Sequence, residues 1–358
     1  MSAPFSHRVP PHGGADDRRA GAPPFPHRAV TRWASEVPGS PYSGPDRDEP
    51  GGQGAGASWF ARRPVSAMRP GDHAWLAYSC TEERDRVIGT FVREGLDNGE
   101  KVVYVTDTPP DLLPGVRRHA EPELLALTSS RRLRLITNRD ACLDARGRFL
   151  PERMLETLAR EADEAFGQGF RAVRFTTDHG WALNGPGRSG LARTLCCERL
   201  FAEAISPSTM AMAVCQVARH ARPSGELAAL RDAHEVLVEV DPEFDDGVLT
   251  LVRTFEPHGL RVEGELDSAR HAVFADRLDQ LIALRRPVHL DFSRLDFIDL
   301  GGINLLARHA TAPHGTPALV LDGLPPDVEQ VIELVGWHRL PGIARGRRRP
   351  ATRQGALL

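Results

Sequence analysis

The stretch "DFSRLDFIDLGGINLL", Asp291 to Leu306, decides how this chain is read. It opens as an apolar, strand-like run and reaches Asp299. It then passes through Leu300 and the Gly301–Gly302 pair into helix-like spacing. A strand feeding directly into a helix gathers unpaired backbone N–H groups at the corner, together with the positive end of the helix dipole. Asp299 is placed to act as N-cap or near-cap carboxylate there. The glycines, lacking Cβ, let another backbone come close.

Around this corner the elements are short. An acidic, turn-rich break, "VDPEFDDG" (Val240 to Gly247), precedes them. "VLTLVRTF" and "LRVEGEL" read as paired strands joined near Pro257-His258-Gly259. "DSARHAVFADRLDQLIAL" reads as an amphipathic helix with Ala272, Leu278, Leu281 and Ile282 facing inward. The strand "PVHLDF", the corner itself, the strand "PALVLDG" and a helix from about Pro325 to Leu334 complete the pattern. The arginine-rich "RGRRRPATRQ" reads as a frayed tail.

These residues resemble a STAS domain, the fold of anti-sigma-factor antagonists. The resemblance rests on "VEGELDSA" before a helix and on "VHLDFSRLDFIDLGGINLL", in which Asp291, Ser293, Phe297, Asp299, Gly302 and Leu305 fall in the family's order. It implies a docking surface made of Asp299, Leu300, Gly301 and Gly302, with an anti-sigma factor or a kinase-like ATPase as partner. In phosphoswitch members a serine follows the aspartate. Here Leu300 and Gly301 follow it, and neither has a hydroxyl to receive the charge of a phosphate. Ser293 has a hydroxyl but sits upstream, at the end of the first strand run.

Upstream, from about Gly71, strands and helices alternate. "HAWLAY" (His73 to Tyr78), "KVVYVTD" ending at Asp107, "LRLIT", "RAVRFTTDHGWAL" and "MAMAVCQVA" read as strands, the fourth opening into a polar loop. Between them, "EERDRVIGTFVREGLDNG" places Val87, Ile88, Phe91, Val92 and Leu96 on one helical face. A helix after Pro151 turns Met154, Leu155, Leu158, Ala162 and Phe166 inward. Others run from about Leu191 to Ile205 and through "ELAALRDAH". Such βα alternation predicts a mainly parallel sheet covered by helices on both faces.

Residues 66–239 resemble a MEDS domain, the sensory region of methanogen and methylotroph regulators. "GDHAWLAYSCTEERDRVIGTFVREGLDNGEKVVYVTD" carries most of the likeness, followed by "TTDHGWAL", "CERLFAEA", "VCQVARHA" and "AHEVLV". The resemblance implies a RecA-like α/β fold that has lost nucleotide hydrolysis. Val217-Ala218 departs from the family's Tyr-Asp pair after the Cys-Gln strand.

Composition narrows the function. Lys101 is the only lysine in 358 residues. It opens a strand, whereas a phosphate-cradling GxxxxGK loop needs its lysine after the glycines and before a helix. A formal net charge of -3 gives no electrostatic case for nucleic acid or an anionic membrane. No apolar run approaches the ~20 residues of a membrane span. There is no h-region of a signal peptide. Five cysteines without a CxxC indicate neither a disulfide framework nor a zinc ribbon. A reducing cytoplasm fits best. Proline and glycine fill 19 of the first 58 positions, and such a segment cannot offset its ordering entropy.

The expected organisation is therefore a disordered tail (1–58), a RecA-like, mainly parallel α/β domain (66–239), a smaller STAS-like α/β domain (248–342) and a disordered basic tail (343–358). His73, Asp107, Asp178 and Trp181 are the candidate ligand contacts, because ligands of parallel α/β sheets bind beyond the carboxyl ends of the strands. His179, Glu198 and Cys215 are chemically notable as well. Cys215 reads as core, and Asp178 and Glu198 as a potential carboxylate pair. No short ligand spacing supports a metal cluster, so neither metal, nor cofactor, nor catalytic residue is expected. The expectation is a non-enzymatic cytoplasmic regulator. It senses a small molecule or partner and docks a protein to control sigma-factor-dependent transcription, without direct nucleic-acid or membrane contact. The alternative is a RecA-like nucleotide-binding protein with weak or lost ATPase activity.

Overall fold

The computed structural model describes residues 60–183, 189–310 and 318–347. The tail expected over 1–58 lies outside the described residues, as does most of the one expected over 343–358. The first sheet is built from β1 (Ala61–Pro64), β2 (His73–Tyr78), α1 (Thr81–Asp97), β3 (Lys101–Val105), α2 (Glu121–Ser129), β4 (Leu133–Ile136), α3 (Asn138–Cys142), α4 (Pro151–Gly167), β5 (Val173–Asp178), α5 (Gly180–Leu183), α6 (Ser189–Ala204), β6 (Ala211–Ala218), α7 (Ser224–Arg231) and β7 (Val236–Glu239). Its strand order is β1-β7-β2-β6-β5-β3-β4, and every pairing is parallel.

Burial explains why these segments form strands between helices. Trp75 faces a core shared with α4, α6 and α7, while Ala74 and Leu76 face the core under α1. The period of two sends neighbours to opposite faces, and both faces are dry. All five residues of β3 are buried, as a parallel strand covered on both sides requires. In α1 the expected stripe Val87, Ile88, Phe91, Val92 and Leu96 is buried. Glu82 and Glu83 occupy its first turn, where the dipole favours anions. Along α4, Met154, Leu158 and Ala162 are buried, whereas Leu155 and Phe166 keep partial exposure.

The second sheet contains β8 (Phe244–Asp245), β9 (Leu249–Phe255), β10 (His258–Leu266), α8 (His271–Ile282), β11 (Val288–Ile298), α9 (Leu300–Ala310), β12 (Leu319–Asp322), α10 (Pro326–Leu334) and β13 (Ile343–Arg345). Its order is β13-β12-β11-β10-β9-β8. β8, β9 and β10 pair antiparallel, and β10 to β13 pair parallel. Its core joins Leu249, Leu251, Leu260 and Val262 to Phe274, Leu278 and Leu281 of α8 and to Ile303 and Leu306 of α9.

Several expectations need correction. Ala272 is exposed, and Phe274 takes its place in the core, one turn before Leu278. β13 pairs with β12 over Ile343–Arg345, so order continues into the stretch read as tail. Residues after Asp178 form the short helix α5 rather than a polar loop. Ser293 lies inside β11, because that strand runs on to Ile298. The acidic break is anchored at both ends. Val240 is buried with the first core, Glu243 pairs with Arg86 at 2.9 Å, and Phe244 enters β8. β9 also reaches across: Leu249 and Leu251 face the second core, while Val252 is buried in the first.

Candidate functional site

Two places concentrate polar chemistry. The first lies between α6 and the first sheet. β2 begins with His73, whose Nε2 stands 3.1 Å from Glu198 Oε2 and 3.4 Å from Cys215 Sγ. Glu198 comes from the inner face of α6 and is fully buried. His234, in the short link between α7 and β7, puts its Nε2 3.3 Å from the same Glu198 oxygen. His179, just past β5, stands 3.2 Å from the other. The His73 and His234 rings lie 4.2 Å apart.

Burial acts on His73, Glu198 and Cys215. It is the main reason the His73 imidazole is held neutral down to about pH 4, with His234 adding to it. Burial pushes the Cys215 thiol well up, and the neighbouring Glu198 carboxylate pushes it further. Burial would also raise Glu198, but the surrounding His179 and His234 outweigh it and hold the carboxyl well below its usual range. A carboxylate here is thus ionised inside an apolar layer, where an unpaired charge is costly.

The second place is the corner between β11 and α9. Asp299 Oδ1 accepts a 2.7 Å hydrogen bond from the Gly302 backbone N–H, the standard third-residue contact of an N-cap. The same oxygen stands 2.7 Å from His271 Nε2, at the start of α8. Burial pulls the Asp299 carboxyl upward, but the Gly302 N–H and His271 prevail and leave it below its usual value. A Cβ on Gly301 would come within 2.3 Å of the His271 ring, and one on Gly302 within 2.8 Å of the Ile298 side chain. These glycines therefore make room within the fold itself. Leu300 is 60% exposed and Phe297 49% exposed, flanking Asp299 with apolar surface.

Residues 72–235 match the family model of the MEDS domain, the methanogen/methylotroph, DcmR sensory domain. Residues 249–342 match that of the Mlab, STAS domain. The chain carries a MEDS domain followed by a STAS domain. Both are non-catalytic regulatory modules of signal transduction and transcription regulation, which makes the chain a sensory and regulatory protein rather than an enzyme. No curated relative matches the chain. Among solved structures it is similar to a KaiC-like protein from the hyperthermophilic archaeon Pyrococcus horikoshii OT3. The identity is 12% and the TM-score 0.30, covering 51% of this chain and 79% of that one. Among the described residues, no helix is long and apolar enough to cross a membrane.

The four MEDS candidates do not converge. Asp107 lies two residues past β3 and accepts from the Asn138 backbone and side-chain amides at 2.9 and 2.8 Å, holding the start of α3. Asp178 ends β5, where it accepts from Gly180 N–H at 2.8 Å and from the Tyr78 hydroxyl at 3.3 Å. Trp181 packs edge-on against Phe149 at 5.3 Å. His73 sits at the opposite, amino-terminal end of its strand, so a shared strand-end pocket does not form around all four. Asp178 and Glu198 have separate partners and make no carboxylate pair.

His179, Glu198 and Cys215, noted in the sequence, do meet His73. His234 was missed. It sits in "AHEVLV", a stretch that marks the MEDS likeness, but nothing in its local spacing points to residues 19 or more positions away. A cleft of about 620 Å³ opens between the two sheets and contains none of the four MEDS candidates. Trp75, Arg219, Arg253, Arg261, Asp322 and Arg347 are among the residues around it.

Proposed function

We propose that this chain is a cytoplasmic regulator whose STAS domain docks an anti-sigma factor or a kinase-like ATPase through Asp299, Leu300, Gly301 and Gly302. In this reading the MEDS domain senses a small molecule and the output is sigma-factor-dependent transcription, without contact to nucleic acid or membrane. STAS domains in general engage anti-sigma factors, and the observation that carries the reading here is Leu300. It projects from the first turn of α9, exposed beside Phe297, where phosphoswitch relatives bear a serine. An apolar side chain on a helix corner is stabilised by a partner that covers it, and full coverage of a leucine contributes about 1.5–3 kcal/mol. Without a hydroxyl at 300 or 301, release by phosphorylation of the corner is unavailable, so docking is constitutive.

The test is to incubate the full chain with the anti-sigma factor or kinase-like ATPase of its host, with and without ATP. Binding and the phosphorylation state of residues 291–306 are then measured. ATP-independent binding with an unmodified corner supports the reading. ATP-sensitive binding with phosphate on that segment contradicts it. For sensing, the candidate contacts remain Asp107, Asp178 and Trp181 at the carboxyl ends of β3 and β5. His73 belongs to the cluster below α6.

A further inference from the structure

We propose that His73, Glu198, Cys215 and His234 form a buried tetrahedral site for a divalent transition-metal ion of the zinc class. The four donor atoms all lie within 4.8 Å of one another, and all four residues are buried. The edge of a tetrahedron built on zinc's usual bond lengths to nitrogen, oxygen and sulfur is roughly 3.3–3.7 Å. Three of the donor pairs stand at 3.1, 3.3 and 3.4 Å. These three pairs already stand within a few tenths of an ångström of that edge, and the whole set lies within 4.8 Å.

The hydrogen-bonding pattern suits a cation. His234 Nδ1 lies 2.8 Å from the Leu230 carbonyl, which can only accept, so Nδ1 carries the proton. With Nδ1 protonated, His234 presents at Nε2 either a second proton or a bare lone pair to Glu198 Oε2, 3.3 Å away. Two acceptors facing each other in an apolar interior repel, unless a proton or a cation lies between them. Among the described residues, His234 Nε2 and Glu198 Oε1 are both buried with no hydrogen-bond partner. An ion bonded to Nε2 resolves the first conflict. The Leu230 contact then becomes the backbone hydrogen bond that orients a ligating imidazole. His179 Nε2, 3.2 Å from Glu198 Oε1, is placed to hold the carboxylate's second oxygen.

Charge and ligand type agree. A thiolate and a carboxylate together neutralise a divalent cation, so the loaded site adds no net charge to the core. One thiolate with two imidazoles disfavours magnesium and calcium, which take oxygen ligands. Four protein donors from four separate segments make a closed set of the structural kind. Loading binds α6, β2, β6 and the α7–β7 link together.

The experiment uses the full chain, stripped of metal and refolded with Co(II) as the spectroscopic probe. Wild type is expected to take up one Co(II) per chain, with thiolate-to-cobalt charge-transfer absorption and the visible bands of tetrahedral cobalt. Zn(II) displaces the cobalt and raises the melting temperature. Cys215→Ser abolishes the charge-transfer band, whereas Cys80→Ser, which changes a thiol elsewhere, leaves it intact. Glu198→Gln and His234→Gln weaken Co(II) binding at least tenfold; they decide the matter if Cys215→Ser does not fold. A folded wild-type chain that takes up neither ion overturns the proposal, and so does a band that persists in Cys215→Ser. Unchanged Co(II) affinity in His234→Gln overturns it as well. Any of these leaves protons, not a metal, holding the cluster together.

Discussion

Asp299 organises the corner by two short contacts, so its loss is felt locally. Asp299→Ala removes the cap of α9 and is expected to lower stability by about 0.5–2 kcal/mol, measured by urea unfolding of the full chain. The sign with pH follows from its carboxyl being held below the ordinary value. The contribution is fully present above the unfolded carboxyl value of about 4. It is lost as pH falls through the lower folded value. Asp299→Asn should therefore flatten that part of the acid limb, and an unchanged limb would show that the cap does not titrate there. Gly301→Ala presses its new methyl into His271. It is expected to separate His271 from Asp299, seen as a rise in the Asp299 titration midpoint by NMR.

At the scale of elements, Lys101 joins β3 to α4. Its Nζ is 2.9 Å from Glu161 Oε2, and both side chains are about 2% exposed. The single lysine is thus committed to a buried ion pair at the amino end of its strand. Lys101→Ala leaves the buried Glu161 with Arg134 alone, 3.6 Å from its other carboxylate oxygen, and is expected to cost toward the low end of about 3–5 kcal/mol, whereas Lys101→Met with Glu161→Met recovers most of it. The wild-type chain should not hydrolyse ATP; turnover in wild type that disappears in the refolded Lys101→Met, Glu161→Met pair would show that the lysine serves a phosphate instead. Most elements were legible from the sequence because their burial is periodic: β2 runs from His73 to Tyr78 as "HAWLAY" implies, and α1 buries the expected stripe. The edge strands β1, β8 and β13 were not, since two to four partly exposed residues carry no period. The Asp299–Leu300 corner was legible because its residues are contiguous. The His73 cluster was only partly so, because it is assembled from helix, strand and loop far apart in the chain.

Across the whole molecule, the two sheets are stitched rather than merely tethered. Arg261 of β10 contacts Glu239 of β7 at 2.6 Å, and Val252 of β9 is buried in the MEDS core. We propose that the independently stable STAS unit spans 242–347, wider than the 248–342 read from sequence, because β8 and β13 complete its sheet. A fragment of residues 242–347 should melt higher than one of 248–342, and equal melting would restore the narrower boundary. The central claim is that the exposed Leu300 corner is where the regulator meets its protein partner. Calorimetric titration of the full chain with the host's anti-sigma factor or kinase-like ATPase tests it most directly. Leu300→Asp puts a charge on a surface that must be desolvated, and each 1.4 kcal/mol lost is about tenfold in affinity. Binding is expected to weaken about tenfold or more in Leu300→Asp, and less in Leu300→Ser. Affinity equal to wild type in Leu300→Asp would contradict the central claim.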